Sequence, residues 1–144
     1  MIRRISAWKL SVSGYGLEPL LAVVGLSDSS DWMSQRVCHI SLERPDSVST
    51  IDSTLAWVHW GSAACVMSNT LYVVGIGRAV NELWKWNAAF DWTKCVDMTS
   101  RRQWHCVAVV DSTLYAVGGW DDDETTLSNV DAYNTQTNKW SAAG

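Results

Sequence analysis

The chain has 144 residues and a formal net charge of −4, a length that suits one domain with a real core. The excess of acid over base counts against nucleic acid or an anionic membrane as the main partner, and the apolar run at residues 20–26 is too short to span a bilayer. Arg3 and Arg4 are followed by Ser6, Lys9 and Ser11 rather than an apolar segment, so no secretory leader is expected. No Asn-x-Ser/Thr acceptor occurs and the cysteines at 38, 65, 95 and 106 form no close CxxC pair, which together indicate a reducing, cytoplasmic compartment.

Residues 1–19 read as an N-terminal segment with a first strand at 7–13, turned by Gly14 through Pro19. Residues 20–56 then offer a strand at Leu20-Leu21-Ala22-Val23-Val24, stopped by Gly25, and another at Val37-Cys38-His39-Ile40. The Ser-, Asp- and Thr-rich stretch after it is a loop with an outer strand at 48–51. Pro19 and Pro45 sit at strand boundaries, where a missing N–H does no harm. In residues 57–97, Ala63-Ala64-Cys65-Val66-Met67 and Leu71-Tyr72-Val73-Val74 flank a turn at Ser68-Asn69-Thr70. Leu83-Trp84-Lys85-Trp86 and Trp92 follow. Helix signals are nearly absent, and the one amphipathic candidate, 78–86, fits loop plus strand better.

Residues 98–144 are the clearest. His105 through Val110 is a nearly continuous apolar run, the pattern of a strand buried on both faces. Asp111-Ser112-Thr113 turns the chain into Leu114-Tyr115-Ala116-Val117, which Gly118 and Gly119 end. The acidic run Asp121-Asp122-Asp123-Glu124 follows Trp120. Val130-Asp131-Ala132-Tyr133, a turn through Asn134 to Asn138, and Lys139-Trp140 complete a four-strand meander.

These stretches repeat. Leu71 and Leu114 open matching segments 43 residues apart, and Gly25 precedes Gly75 by 50, spacings that signal propeller blades. Ten tryptophans suit a repeat that places an indole at several strand ends, as packing residues that keep one donor for a partner. A doublet glycine after an apolar strand, then tyrosine and tryptophan at these spacings, with a basic residue and a histidine before the first strand, resembles the kelch repeat. The resemblance covers about 20–144 and is strongest in 101–140. It implies an all-β fold of about three four-stranded antiparallel kelch-type β-propeller blades in a partial or open propeller: a degenerate blade at 20–56, a second at 57–97 and the best defined at 98–144. Gly75, Gly118, Gly119, Tyr72, Tyr115, Tyr133, Trp86, Trp92 and Trp140 would hold the blades.

Three blades pose a problem of closure, because a propeller buries its blade faces by closing into a ring, commonly of four to eight blades. The remaining faces would be covered by further blades of a larger parent chain or by self-association, or the array would stay open; the first is expected. Kelch-like proteins often join the propeller to a BTB module and recruit substrates to cullin-based ubiquitin ligases, and others bind actin. Nothing before residue 20 resembles a BTB module, so a ubiquitin-ligase role would belong to the parent chain.

Catalysis and metal binding find little support. Cys38-His39 and His105-Cys106 are adjacent pairs on strands, so their side chains point to opposite faces and cannot jointly hold an ion. There is no Gly-x-Ser-x-Gly elbow, and Val74-Gly75-Ile76-Gly77 lacks the third glycine and following helix of a nucleotide loop. A disulfide between blades cannot be assigned from the sequence. The copper ligands of an oxidase resembling galactose oxidase cannot be placed here. No enzyme, metal or cofactor is therefore expected.

A protein or peptide partner is. In a meander the loop after the second strand and the segment leading into the first share a rim. Arg101, Arg102, Gln103 and Trp104 should thus lie beside Trp120, Asp121, Asp122, Asp123 and Glu124, with His59 and Trp60 in the equivalent leading segment of the preceding repeat. The acidic run could dock a basic segment, and the arginines could take an acidic one.

Overall fold

The computed structural model describes residues 20–24, 37–41, 48–51, 61–68, 70–77, 79–87 and 91–144, the first three groups as backbone strands only. The strand expected at 7–13, and with it His59, Trp60 and Arg78, lies outside the described residues. The chain divides into two units, residues 1–60 and 61–144.

In the first unit, β1 (Leu20–Val24), β2 (Val37–Ser41) and β3 (Val48–Ile51) form an antiparallel sheet in that order. Ala22 pairs with His39, and His39 with Ser49.

The second unit holds two four-stranded meanders. The first comprises β4 (Ala63–Met67), β5 (Thr70–Ile76), β6 (Glu82–Asn87) and β7 (Asp91–Lys94). The second comprises β8 (Cys106–Val110), β9 (Thr113–Val117), β10 (Val130–Asn134) and β11 (Lys139–Ala142). All neighbours are antiparallel, as short connections demand. The tight turns sit at equivalent places and use equivalent backbone: Ser68 and Asp111 adopt left-handed φ of 48° and 52°, a conformation a short polar side chain tolerates. In the longer β10–β11 turn, the Asn134 carboxamide oxygen accepts from the amides of Gln136 and Thr137, both at 2.9 Å. No helix occurs among the described residues, so none is long and apolar enough to cross a membrane.

Strand alternation explains the core. On one face of the β4–β7 sheet, Cys65, Met67, Tyr72, Val74 and Leu83 turn toward Leu114, Ala116 and Tyr133 of the β8–β11 sheet, and Val107, Val109 and Trp140 pack against the same cluster. Tyr72 and Tyr133 face each other at 6.3 Å between ring centroids, and Tyr133 and Trp140 at 5.2 Å, within the range of favourable tilted ring contacts. Polar groups stitch the seam. The Trp140 indole donates to the Val96 carbonyl at 2.9 Å, and Asn138 accepts from the Val96 amide at 3.3 Å and the Tyr133 hydroxyl at 2.7 Å. Gly75 lies at a β-bulge with φ of 76°, and a Cβ there would come within 2.5 Å of the His105 ring. Glycine is required there because one sheet crosses the other's leading segment at backbone distance.

One expectation fails. The strand at 105–110 was to be buried on both faces, but in β8 only Val107 and Val109 reach the core, while Cys106, Ala108 and Val110 are exposed. An unbroken apolar run marks a strand whose two faces are both apolar; it does not supply the second layer that would cover them.

Candidate interaction surface

The segment leading into β8 and the loop between β9 and β10 are joined as a small extra ladder. Gln103 and Trp120 exchange both backbone hydrogen bonds, at 2.9 and 2.8 Å, and Trp120 bridges in turn to Thr126. Gly119 sits behind this ladder with φ of 92°, where a Cβ would meet the Gln103 carbonyl at 2.6 Å. The loop tip is organised by its own first residue. The Asp121 carboxylate accepts from the Asp123 and Thr125 amides at 3.0 and 2.8 Å, and the Asp121 amide donates to the Thr125 carbonyl at 3.1 Å. Asp121 is thus engaged in holding the loop.

Outside this frame stand the solvent-facing groups. Arg101 pairs with Asp122 across the ladder, both side chains being about half exposed. Asp123 and Glu124 are exposed, and Gln103 is partly so. Trp104 is 58% and Trp120 47% exposed, a large apolar area for two side chains on one rim. Trp104 also carries a left-handed φ of 57° and donates its amide to the Gly61 carbonyl at 2.8 Å. That bond fixes where the segment leaves the preceding sheet.

Arg102 departs from the expectation that it would face a partner. Its side chain is completely buried. Nη2 donates to the Asp131 carboxylate at 3.0 Å, and Nη1 to the carbonyls of Gly118 and Asn129 at 2.8 and 3.3 Å. A buried guanidinium is tolerated only when paired and hydrogen-bonded, and here it fastens the leading segment to β10 and to the end of β9. The clue was in the sequence. Asp131 lies two residues before the inward-facing Tyr133, so strand parity turns both into the core, where a carboxylate needs a cation.

His105, next along the segment, is also buried, and burial together with the nearby Arg102 charge pushes its pKa down to about 4. It is therefore neutral near pH 7. Burial likewise holds the Cys65 thiol up to about 12 and raises the Tyr72 and Tyr133 hydroxyls, so these groups stay protonated and serve packing. Cys65, Cys95 and Cys106 carry free thiols. Among the described residues no three His, Cys, Asp or Glu side chains come together as a metal ion would need. The scaffold residues expected from the repeat are distributed as the sheets require: Tyr72, Tyr133 and Trp92 are buried, while Tyr115, Trp86, Trp140 and Gly118 are partly covered.

Comparison with known proteins agrees with this architecture. Residues 101–144 match the family model described as the Kelch motif. The human Kelch-like protein 35 is 34% identical over 82 residues, covering 56% of this chain and 14% of that protein. Alpha-scruin of Limulus polyphemus is 38% identical over 53 residues, covering 37% of this chain and 6% of its own. The Kelch repeat and BTB domain-containing protein 1 of cowpox virus (strain Brighton Red) is 45% identical over 47 residues, 31% of this chain and 8% of that one. The chain thus corresponds to a small part of each relative. In three dimensions it is similar to the solved structure of YjhT, with a TM-score of 0.52 at 22% identity, over 63% of this chain and 28% of the other. At that identity the likeness speaks for fold alone. With a repeated four-strand meander, glycines at the close approaches and a match to the Kelch motif over the second meander, this chain carries a kelch repeat at residues 101–144, and its two four-stranded sheets have the build of β-propeller blades.

Proposed function

We propose that this chain is a protein-interaction module that recognises a basic segment of a partner protein through the rim of Arg101, Gln103, Trp104, Trp120, Asp122, Asp123 and Glu124. The observation that carries the reading is the inward turn of Arg102. It leaves Arg101 as the one exposed cation of the rim among the described residues, already paired with Asp122, against the exposed carboxylates of Asp122, Asp123 and Glu124. Lysine or arginine side chains of a partner meet those acids, and the two exposed indoles offer faces for cation–π contact. Aromatic anchors beside charges are the usual composition of an interface hot spot.

Similarity to a kelch-like protein favours the substrate-recognition part of an adaptor for a cullin-type ubiquitin ligase, as one portion of a longer, cytoplasmic parent chain without catalytic activity of its own. Similarity to scruin favours an actin-binding kelch module instead, and cosedimentation with filaments separates the two. The rim itself is tested by fluorescence polarisation against a panel of basic and acidic peptides. Basic peptides should bind with an affinity that falls as salt rises, and Asp123→Lys with Glu124→Lys should weaken them roughly tenfold or more. Equal binding of acidic peptides, or indifference to the double charge reversal, removes the rim from consideration.

A further inference from the structure

Alternation along the segment leading into β8 sorts its polar residues. Gln103 lies opposite Trp120 in the small ladder, and Trp120 lies opposite Thr126, so the three side chains stand on one side of it. Arg101 comes two residues before Gln103, and Asp122 two after Trp120. The same antiparallel register sets this pair opposite each other on that side. Arg102, between Arg101 and Gln103, takes the other side and is buried. In the place the register gives them, Arg101 Nη1 donates to Asp122 Oδ2, and both side chains are exposed.

The carboxylates of the loop are thus unequally employed. Asp121 holds the Asp123 and Thr125 amides, and Asp122 carries a guanidinium supplied by the chain itself. Arg101 therefore opposes a basic ligand twice, by occupying Asp122 and by adding a positive charge to the rim. It also displays the chemistry that the place accepts. A guanidinium on Asp122 is one ladder step, about 7 Å of backbone, from the exposed Trp120 indole, and the planar fork of an arginine pairs with a carboxylate while its face suits an aromatic ring.

We infer that Arg101 is an intramolecular clasp on the rim: it holds the Asp122 carboxylate until an arginine of the partner segment takes its place, so that the rim selects arginine over lysine. The inference rests on the reading of the rim as a site for a basic segment and specifies that segment. An exposed ion pair is held weakly, so one guanidinium exchanges for another at little cost. A lysine brings a compact, strongly hydrated point charge instead of the fork and recovers less of what Arg101 gives up.

Fluorescence polarisation at low ionic strength tests this with the 144-residue chain and two basic peptides identical except that every arginine of one is lysine in the other. The parent should bind the arginine peptide several-fold more tightly. Arg101→Gln removes a cation from the rim, yet it should tighten the arginine peptide roughly two- to fivefold, the scale of an exposed ion pair. Because that side chain is exposed, the far-UV spectrum and urea midpoint should stay unaltered. With Asp122→Asn already in place, Arg101→Gln should gain distinctly less, since the carboxylate it would release is no longer there. Three results each overturn the clasp while leaving the rim as a basic-segment site: Arg101→Gln binding no tighter than the parent, an equal gain in the Asp122→Asn background, or a lysine peptide bound as tightly as its arginine counterpart. If neither parent nor Arg101→Gln binds either peptide, the reading of the rim fails and the clasp with it.

Discussion

The buried Arg102 yields the sharpest test of whether this residue serves the fold or a partner. Replacing it with methionine keeps much of the side-chain volume but removes the cation from beside Asp131, whose side chain is 2% exposed. It also removes the donors to the Gly118 and Asn129 carbonyls. Breaking a buried ion pair from one side costs about 3 to 5 kcal/mol, because the surviving charge is left without solvent or partner. Against a total stability of roughly 5 to 15 kcal/mol, that is a large share. With a typical urea dependence of about 2 kcal/mol per molar, the unfolding midpoint should fall by on the order of 2 M. Tryptophan fluorescence is the natural probe, given ten indoles in the chain. Adding Asp131→Leu to Arg102→Met should recover much of the loss, since an apolar pair of similar volume often replaces a buried ion pair at little cost. If Arg102→Met shifts the midpoint by less than about 0.5 M while abolishing partner binding, the guanidinium is working at the surface and the reasoning fails.

Two further outcomes follow from the core. Leu114, completely buried between the blades, should lose about 3 kcal/mol as alanine, lowering the thermal midpoint by roughly 10 °C; Val110→Ala, on the open face, should move it by no more than a degree or two. His105 titrates near 4 when folded but near 6.5 in the unfolded chain. The unfolded state therefore takes up a proton that the folded state refuses. Its contribution is fully present above about pH 6.5 and is lost as the pH falls toward 4, by on the order of 2 kcal/mol between pH 7 and 5. Urea midpoints measured at those two pH values should differ accordingly in the parent and converge in His105→Leu.

Much of the blade was legible before any coordinates. The four-strand order of residues 98–144 follows from apolar runs punctuated by Asp111-Ser112, Gly118-Gly119 and the Asn134 turn, since each punctuating residue is one that a strand cannot use. The second blade follows from the period, and the shared rim from the alternation of strand direction. Direction of individual side chains was harder. Arg101 and Arg102 are neighbours outside any regular strand, so no period says which of them turns in. Only the partner on β10 decides, and that partner lies 29 residues away. Asp121 and Asp122 are likewise adjacent acids with opposite employment, one closing its loop and the other facing Arg101.

Local preferences written into the residues set the grammar of this chain: strand, tight turn, glycine at the close approach, strand, and the repetition of that unit. Those features rest on backbone preferences and on the two-residue alternation of a pleated strand, both of which act over a few residues. Burial is a property of layers, and it was decided by tertiary structure. Val107 and Val110 are the same residue in the same apolar run, yet one packs into the core and the other stands 57% exposed. The difference is the sheet that lies over the first and the absence, among the described residues, of any that lies over the second.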